Sequence, residues 1–586
     1  MRYHVLTLDY DGTLAHHGRV NPETVAALER LRATGRHLIL VTGRELNELR
    51  GIFPEIGFFE WVVAENGALL YRPASREEKV LASAPPEEFV RELRRRGVTP
   101  ISVGRVIVAT WEPHEKTVLE TIRDLGLDLQ VIFNKGAVMV LPAGVTKATG
   151  LRAALEELKL SPHEVVGIGD AENDHAFLSI CECSAAVANA LAAVKERVDL
   201  VTDGDHGAGV IEVIDRLIAN DLADLDGRLI RHHLLVGTGE DGGQVRLPPY
   251  GPNVLIAGPS GSGKSTVATG LLERLMQNRY QFCIIDPEGD YDGLEGIVTL
   301  GTSQQGPSAE EVLAVLATPG PGAVVNLVGL PLADRPSFFL QLLPRLQEMR
   351  ARTARPHWLV VDEAHHLLPA SWQPGALALP GELNRALFIT VHPDQVAPAV
   401  LESVGTVIAV GASPEATIAQ FCKAIGERVP GQTAVELAPG EVLLWRRDIG
   451  RAPFRVRVAP SRIEHHRHTR KYAEGELPPD RSFFFRGPEG KLNLRAQNLM
   501  LFLQLADGVD DETWTHHLRQ GDYSRWFREG IKDERLAVEA EAVEQQAGLS
   551  AAGSRALIRG IIERYYTLPA TTPLPMPGTD AAPTRG

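Results

Sequence analysis

The chain has little cysteine, little aromatic content, no long apolar run and too few basic residues to balance its acids. Four cysteines in 586 residues (Cys181, Cys183, Cys283 and Cys422) are too few for a disulfide framework. The closest two are spaced C-x-C with no second pair, which is not zinc-knuckle spacing, and such sparse usage suits a reduced, cytoplasmic chain. No uninterrupted apolar stretch approaches the roughly 18–20 residues of a membrane span. The opening MRYHVLTLDYDG reaches two aspartates too early to hold the apolar core of a signal peptide. Lys and Arg number 60 against 75 Asp and Glu, a net charge of −15. That balance argues against a partner coated through bulk charge, nucleic acid in particular, although a local basic channel is compatible with it.

What is present is ordinary globular material, 44% hydrophobic and 23% charged. At about 100–200 residues per domain the length predicts three or four domains. Apolar runs that read as buried strands (HVLTLDYD, HLILVTG, WVVAEN, EVVGIGDA) alternate with helix-period segments such as NPETVAALERLRATG, with Asn21 as its N-cap, and KATGLRAALEELKL. The alternation resumes after residue 250 with NVLIAG, FCIIDP, GAVVNLVG, WLVVDEA, ALFITVH and TVIAVGA. This predicts an α/β multidomain chain with two parallel sheets. The Gly- and Pro-rich segment between them reads as a linker plus a short strand pair. The boundaries expected are 1–228 for the first unit, 229–462 for the second, a basic, His-rich linker over 463–489, a small all-α domain over 490–567, and a Pro-rich disordered tail over 568–586. In the linker, His465, His466 and His468 beside Glu464 read as a solvated linker or an anion contact, since they lack metal-ligand spacing.

The first unit carries LDYDGTL at the end of its first strand. Asp9 and Asp11, two residues apart on extended chain, face one side, and Gly12 permits a sharp turn. Strand C-terminal ends are where parallel sheets build sites. A carboxylate nucleophile needs a second group to protonate the leaving oxygen and then activate water, and this pair fits both roles. Thr42, Gly43 and Arg44 end the next strand with a hydroxyl and amides suited to phosphoryl oxygens. Lys147, near a helix start, offers a cation for phosphate charge. Asp170 and Asp174, beyond another strand, supply hard oxygens suited to Mg²⁺.

In this order the four segments resemble the motifs of the HAD phosphatase superfamily, in its Cof-like (class IIB) branch, over about 1–220. The resemblance implies a Rossmann-like core in which Asp9 is the nucleophile, Asp11 the general acid/base, and Thr42 and Lys147 the phosphoryl-group ligands. It further implies that Asp170 binds Mg²⁺ with Asp9 and the carbonyl of Asp11, with Asp174 in support, and that Asn173 contacts phosphate or orients Asp174. An inserted α/β cap is implied at about 80–145, where Arg105, Glu112 and His114 are candidates for substrate contacts.

The second unit carries GPSGSGKST directly after NVLIAG. This is G-x-x-x-x-G-K-S between a strand and a helix, so backbone amides and a helix N-terminus converge on phosphate. Gly258, Gly261, Gly263, Lys264, Ser265 and Thr266 form the expected nucleotide cradle, with Lys264 toward the β and γ phosphates and Ser265 on Mg²⁺. HWLVVDEAHHLL supplies Asp362 for the Mg²⁺ shell and Glu363 to polarise the attacking water. With IIDPEGDY, these segments resemble the HerA/FtsK class of RecA-like P-loop ATPases over roughly 235–460. The resemblance places Glu288 or Asp290 at the nucleotide site or at a neighbouring-subunit contact and implies an ATPase that assembles as a homo-oligomer. Where the class carries a Thr–Gln sensor, this sequence has His392, with Gln395 three residues on. Arg428, Arg446 and Arg447 are the late arginines available for a finger.

The last domain resembles an uncharacterised helical module of such fusions, in which Trp514, Trp526 and Phe527 read as core or partner-facing. The whole predicts a bifunctional hydrolase with Mg²⁺ as cofactor. One half would cleave a phosphorylated small molecule and the other would bind and hydrolyse ATP. The competing readings are a phosphatase–kinase fusion acting on polynucleotide ends, in which Asp286 would activate a hydroxyl, and a phosphatase regulated by a nucleotide-binding module.

Overall fold

The computed structural model describes residues 1–565 apart from 135, 293, 303, 332, 373–383, 432–434, 462–476, 478, 480, 532 and 547. The segment holding Glu464, His465, His466 and His468, and the tail over 568–586, lie outside the described residues.

The first body is an eight-stranded sheet. Its order is Leu200–Val201, Cys183–Ala186, Val165–Gly169, Val5–Asp9, His37–Val41, Trp61–Ala64, Leu69–Arg72 and Glu77–Val80. The first six run parallel, and the last two turn back as antiparallel edge strands. Val5–Asp9 is buried at every position because helices cover both faces, which is why it reads as a continuous apolar run. Asn21 does stand at the N-cap of Pro22–Ala33, but its side chain makes no capping bond. A second sheet, ordered Ser102–Val103, Val108–Trp111, Ala137–Pro142 and Leu129–Asn134, with helices Glu87–Arg95 and Glu115–Asp124, forms a separate lobe with its own core around Phe89, Val118 and Val140.

The second body is an eleven-stranded sheet whose parallel centre runs Val404–Ala409, Asn253–Ala257, Ala386–Thr390, Trp358–Val361, Phe282–Asp286, Gly322–Asn326 and Val298–Leu300. Four antiparallel strands extend one side, including the pair Leu234–Gly239 and Gln244–Leu247.

The third body packs helices Leu499–Gly508, Asp511–Gln520, Asp522–Glu529, Glu534–Glu544 and Ala551–Tyr565 around one aromatic core. A short two-stranded ribbon packs with these helices. Phe483–Phe485 pairs with Leu494–Ala496 as an antiparallel ribbon. Three successive phenylalanines favour extended chain, and the alternation sends Phe483 and Phe485 inward. Trp514, Trp526 and Phe527 are buried in the same core. Among the described residues no helix is long and apolar enough to cross a membrane.

Candidate functional site

At the C-terminal ends of the first sheet, Val5–Asp9 presents Asp9, His37–Val41 leads to Thr42, and Val165–Gly169 leads to Asp170. Helix Lys147–Leu158, capped by Thr146, brings Lys147 in from the other side. The Lys147 ammonium donates to Asp9 Oδ1 at 2.5 Å and to Asp174 Oδ1 at 2.6 Å, and all three side chains are buried. Asp174 Oδ2 accepts the amides of Asp170 and Ala171, which closes the loop after the strand. Thr13 Oγ1 donates to Asp170 Oδ1 at 3.0 Å, and Asn173 donates to Asn66.

Asp9, Asp170 and Asp174 each bring an oxygen into one group whose atoms lie within 4.8 Å of one another. Burial, then the charges of Asp174 and Asp170, push the Asp9 carboxyl well above the carboxylate range, with Lys147 opposing. Three buried carboxylates against one ammonium leave an excess of negative charge. Hard oxygen donors with that excess fit a divalent cation such as Mg²⁺.

Above them lies a cavity of about 590 Å³ lined by Asp9, Asp11, Arg44, Ser102, Trp111 and Asn134 among others, so the small lobe roofs the site. Arg105, Glu112 and His114 are not among its lining residues. Arg105 pairs with Glu78 outside the cavity, and His114 bonds to Thr99. The sequence pattern also gave no sign that Arg44 holds Asp11 with both ends of its fork, at 2.6 and 2.7 Å. The sequence pattern does not single out Glu65 either. Its buried carboxylate accepts the amides of Arg105, Val106 and Ile107, and so ties the lobe to the core.

In the second body the phosphate loop turns at Gly258, Gly261 and Gly263, all at positive φ. A Cβ on Gly258 would lie 2.2 Å from Val410 O, so only glycine fits there. Lys264, Ser265 and Thr266 open the helix Lys264–Gln277. Lys264 Nζ donates to the carbonyls of Gly258 and Pro259 at 2.9 and 3.0 Å. Asp362 and Glu363 follow Trp358–Val361, which is separated from the phosphate-loop strand by Ala386–Thr390, and both are buried. Burial and the charges of Glu363, Asp290, Asp286 and Glu288 push Asp362 well above its ordinary pKa, so these acids converge on one spot. Asp286 accepts the amides of Glu288, Gly289 and Tyr291 and thereby shapes its own loop. Arg446 pairs with Asp448 and Arg447 with Glu427, within the same body. Arg428 is exposed.

Residues 6–97 and 99–214 match the haloacid dehalogenase-like hydrolase family, and residues 252–333 match the central domain of helicase HerA. A phosphoglycolate phosphatase of Methanothermobacter thermautotrophicus is 32% identical over 221 residues, spanning 36% of this chain and 98% of that protein. The chain belongs to the haloacid dehalogenase-like hydrolase family. A phosphoglycolate phosphatase of Natronomonas pharaonis is 30% identical over 36% of this chain and 96% of its own length. A haloacid dehalogenase-like hydrolase structure from Bacteroides thetaiotaomicron covers 37% of this chain and 99% of its own, at 20% identity and a TM-score of 0.33.

The hydrolase body and the HerA-like body meet through the N-terminal ends of their strands. His163 Nδ1 lies 2.6 Å from Glu182 Oε2, its Nε2 lies 2.8 Å from Asn278 O, and its ring stacks on Tyr280 at 3.9 Å. Tyr280 donates to both Glu182 oxygens, and Arg2 lies 3.4 Å over the Tyr250 ring. Arg355 Nε stands 3.0 Å from Glu164 Oε1, both fully buried. His163, Glu182 and His232 also bring metal-ligating atoms together. Both His163 nitrogens already face acceptors and Tyr280 occupies Glu182, so this cluster serves as a polar lock.

Proposed function

We propose that the first body is a Mg²⁺-dependent phosphomonoesterase acting on 2-phosphoglycolate or a closely similar small phosphate ester, through an aspartyl-phosphate on Asp9. The observation that carries this reading is Lys147 bridging Asp9 and Asp174 under a cavity that opens on Asp9 and Asp11. The named relatives supply the substrate class.

Asp9, Asp170 and the Asp11 carbonyl would hold the cation, with Asp174 in support, and it would supply charge neutralisation for a dianionic phosphate. Lys147 opposes the upward push on the Asp9 carboxyl and holds its oxygen in place for in-line attack. Thr42 and its neighbouring amides receive phosphoryl oxygens. The Asp9 oxygen bonds to phosphorus as the ester oxygen departs, and Asp11 gives that oxygen a proton. Asp11 then takes a proton from the water that cleaves the aspartyl-phosphate. Arg44 must release Asp11 before either transfer.

The second body, in this reading, binds ATP on Gly258–Thr266 and hydrolyses it with Glu363 as the base. Asp362 and Ser265 would hold a Mg²⁺ ion. Asp286 is spent on its own loop amides, which weighs against its activating an acceptor hydroxyl as a polynucleotide kinase would require.

The test is phosphate release from 2-phosphoglycolate and a panel of phosphomonoesters, with and without Mg²⁺, ATP and DNA. Asp9→Asn is expected to abolish release while ATP binding persists; phosphate release at the wild-type rate would overturn the nucleophile assignment. DNA-stimulated ATP turnover would point to a translocase, and transfer to a 5′-hydroxyl would restore the kinase reading. Sedimentation with and without ATP reads self-association.

A further inference from the structure

The strand Ala386–Thr390 runs between the phosphate-loop strand and the strand leading to Asp362, with Thr390 level with Ala257. Its C-terminal end therefore stands beside the cradle where a γ-phosphate lies. The Gly258 amide donates to Thr390 O at 3.4 Å, which fixes that end to the loop. Thr390 is fully buried, and its hydroxyl accepts the amide of His392 at 3.1 Å.

The same hydroxyl lies 3.1 Å from His365 Nδ1, and that nitrogen is 3.4 Å from Glu363 Oε2. One buried ring nitrogen thus faces both the strand-end hydroxyl and the carboxylate. His392 packs edge-on against the His365 ring at 5.5 Å. Glu363 itself sits at φ 41°, ψ 51°, a left-handed conformation that a non-glycine residue rarely adopts, and its side chain makes no helix-capping bond. Strain of this kind persists where surrounding contacts over-determine it, and it collects at working sites.

We propose that His365 is a positioning residue for ATP hydrolysis, coupling the Thr390 hydroxyl to the Glu363 carboxylate through Nδ1. The assignment rests on the ATPase reading above. A neutral imidazole has one N–H. With the proton on Nε2, the single Nδ1 lone pair accepts from the Thr390 hydroxyl, and Nδ1 has no proton to give Glu363. A γ-phosphate oxygen that draws the Thr390 hydroxyl to itself frees the Nδ1 lone pair; Nε2 then gives its proton to water as Nδ1 takes one from water, and the new Nδ1–H donates to Glu363, fixing the carboxylate toward the attacking water. The water oxygen then bonds to the γ-phosphorus, the bond to the β–γ bridging oxygen breaks, and its electron pair stays on ADP. The water proton passes to Glu363 and from there to solvent. His365 and Thr390 together occupy the role for which the class uses a sensor glutamine.

The experiment uses the full chain with the variants His365→Ala, His365→Asn, His365→Gln, Thr390→Val and the double variant His365→Ala/Thr390→Val. Steady-state ATP hydrolysis is measured alongside equilibrium binding of a fluorescent ATP analogue and thermal unfolding. His365→Ala is expected to lower kcat about 10²-fold with nucleotide affinity within about twofold of wild type. Asparagine places its amide near the Nδ1 position and glutamine near Nε2. His365→Asn should therefore recover most of the rate and His365→Gln should not. The double variant should be no slower than the slower single one, because both act on one link.

Wild-type kcat in His365→Ala, or equal rescue by glutamine and asparagine, overturns the assignment while the ATPase reading stands. If His365→Ala does not fold, the asparagine–glutamine comparison decides alone. A wild-type chain that binds ATP yet never hydrolyses it, with or without DNA, overturns the hydrolysis reading and this assignment with it.

Discussion

Lys147 is the residue on which the phosphatase reading turns, because its ammonium bridges Asp9 and Asp174 in the cluster with Asp170. Lys147→Met should lower phosphatase kcat by at least about 10²-fold, measured as phosphate release at saturating Mg²⁺. A wild-type rate in Lys147→Met at saturating Mg²⁺ would show that the cation alone supplies the needed charge. Gly67 guards the same lysine. It sits at φ +107°, and an added Cβ would lie 1.9 Å from Thr146 O, the residue that caps the Lys147 helix. Gly67→Ala is expected to cost about 2–4 kcal/mol of stability by chemical denaturation and to cut phosphatase turnover with it. At this scale Asp9, Asp11, Lys147, Asp170 and Asp174 were legible because each follows a strand or opens a helix that periodicity reveals. Arg44's grip on Asp11 was not, since it joins two loops whose separation depends on the packing of neighbouring strands.

Strands are the elements that carry chemistry here, and each has a working end and a fastening end. Val165–Gly169 runs from Glu164 at the interface to Asp170, and Phe282–Asp286 runs from Gln281 to the acid cluster of the nucleotide site. Glu182, at the start of its own strand, is the pivot of the fastening side. Burial works against its charge, but His163, His232 and Arg2 bring its carboxyl down from 4.5 to about 2. The folded chain therefore binds fewer protons than the unfolded chain between those values. The stabilisation is complete above pH 4.5 and is lost as pH falls toward 2, with an amplitude of about 3 kcal/mol. Denaturation of wild type and Glu182→Gln across pH 3–7 should show a stability gap that is constant near neutrality and shrinks below pH 4.5; a constant gap would refute the ionic role. Glu164 has the opposite sign. Burial raises it to about 8 against the pull of Arg355, so its contribution weakens as pH rises from 4.5 toward 8. The hydrophobic runs announced these strands, but nothing in the runs told which of their flanking polar residues face another domain.

Across the whole molecule the hydrolase and HerA-like bodies stand back to back. Their strands start at a shared polar interface and end at sites pointing away from each other. Five residues per strand at about 3.3 Å each set the two sites roughly 30 Å or more apart. No product can pass directly between them, so Glu363→Gln should trap ATP and leave kcat and KM for the phosphatase unchanged. A shifted phosphatase KM in the trapped state would reveal coupling through the interface strands. The buried Glu164–Arg355 pair and the His163–Tyr280 stack bind the bodies into one unit. A fragment ending at residue 228 should melt about 5–10 °C below the corresponding transition of the full chain, by calorimetry.

The amino-acid order alone determined the two α/β sheets, the phosphate loop and the acids at strand ends, because periodicity, turn glycines and local spacing act over a few residues. The tertiary structure decided what depends on residues far apart in the chain. It set Arg44 on Asp11, Ser102 and Trp111 over the cavity, and His365 between Thr390 and Glu363. It also folded the Phe483–Phe485 strand into the third body and turned the two sites outward. Those arrangements follow from which strands pair and which surfaces must be buried together, and neither quantity is written in any single segment.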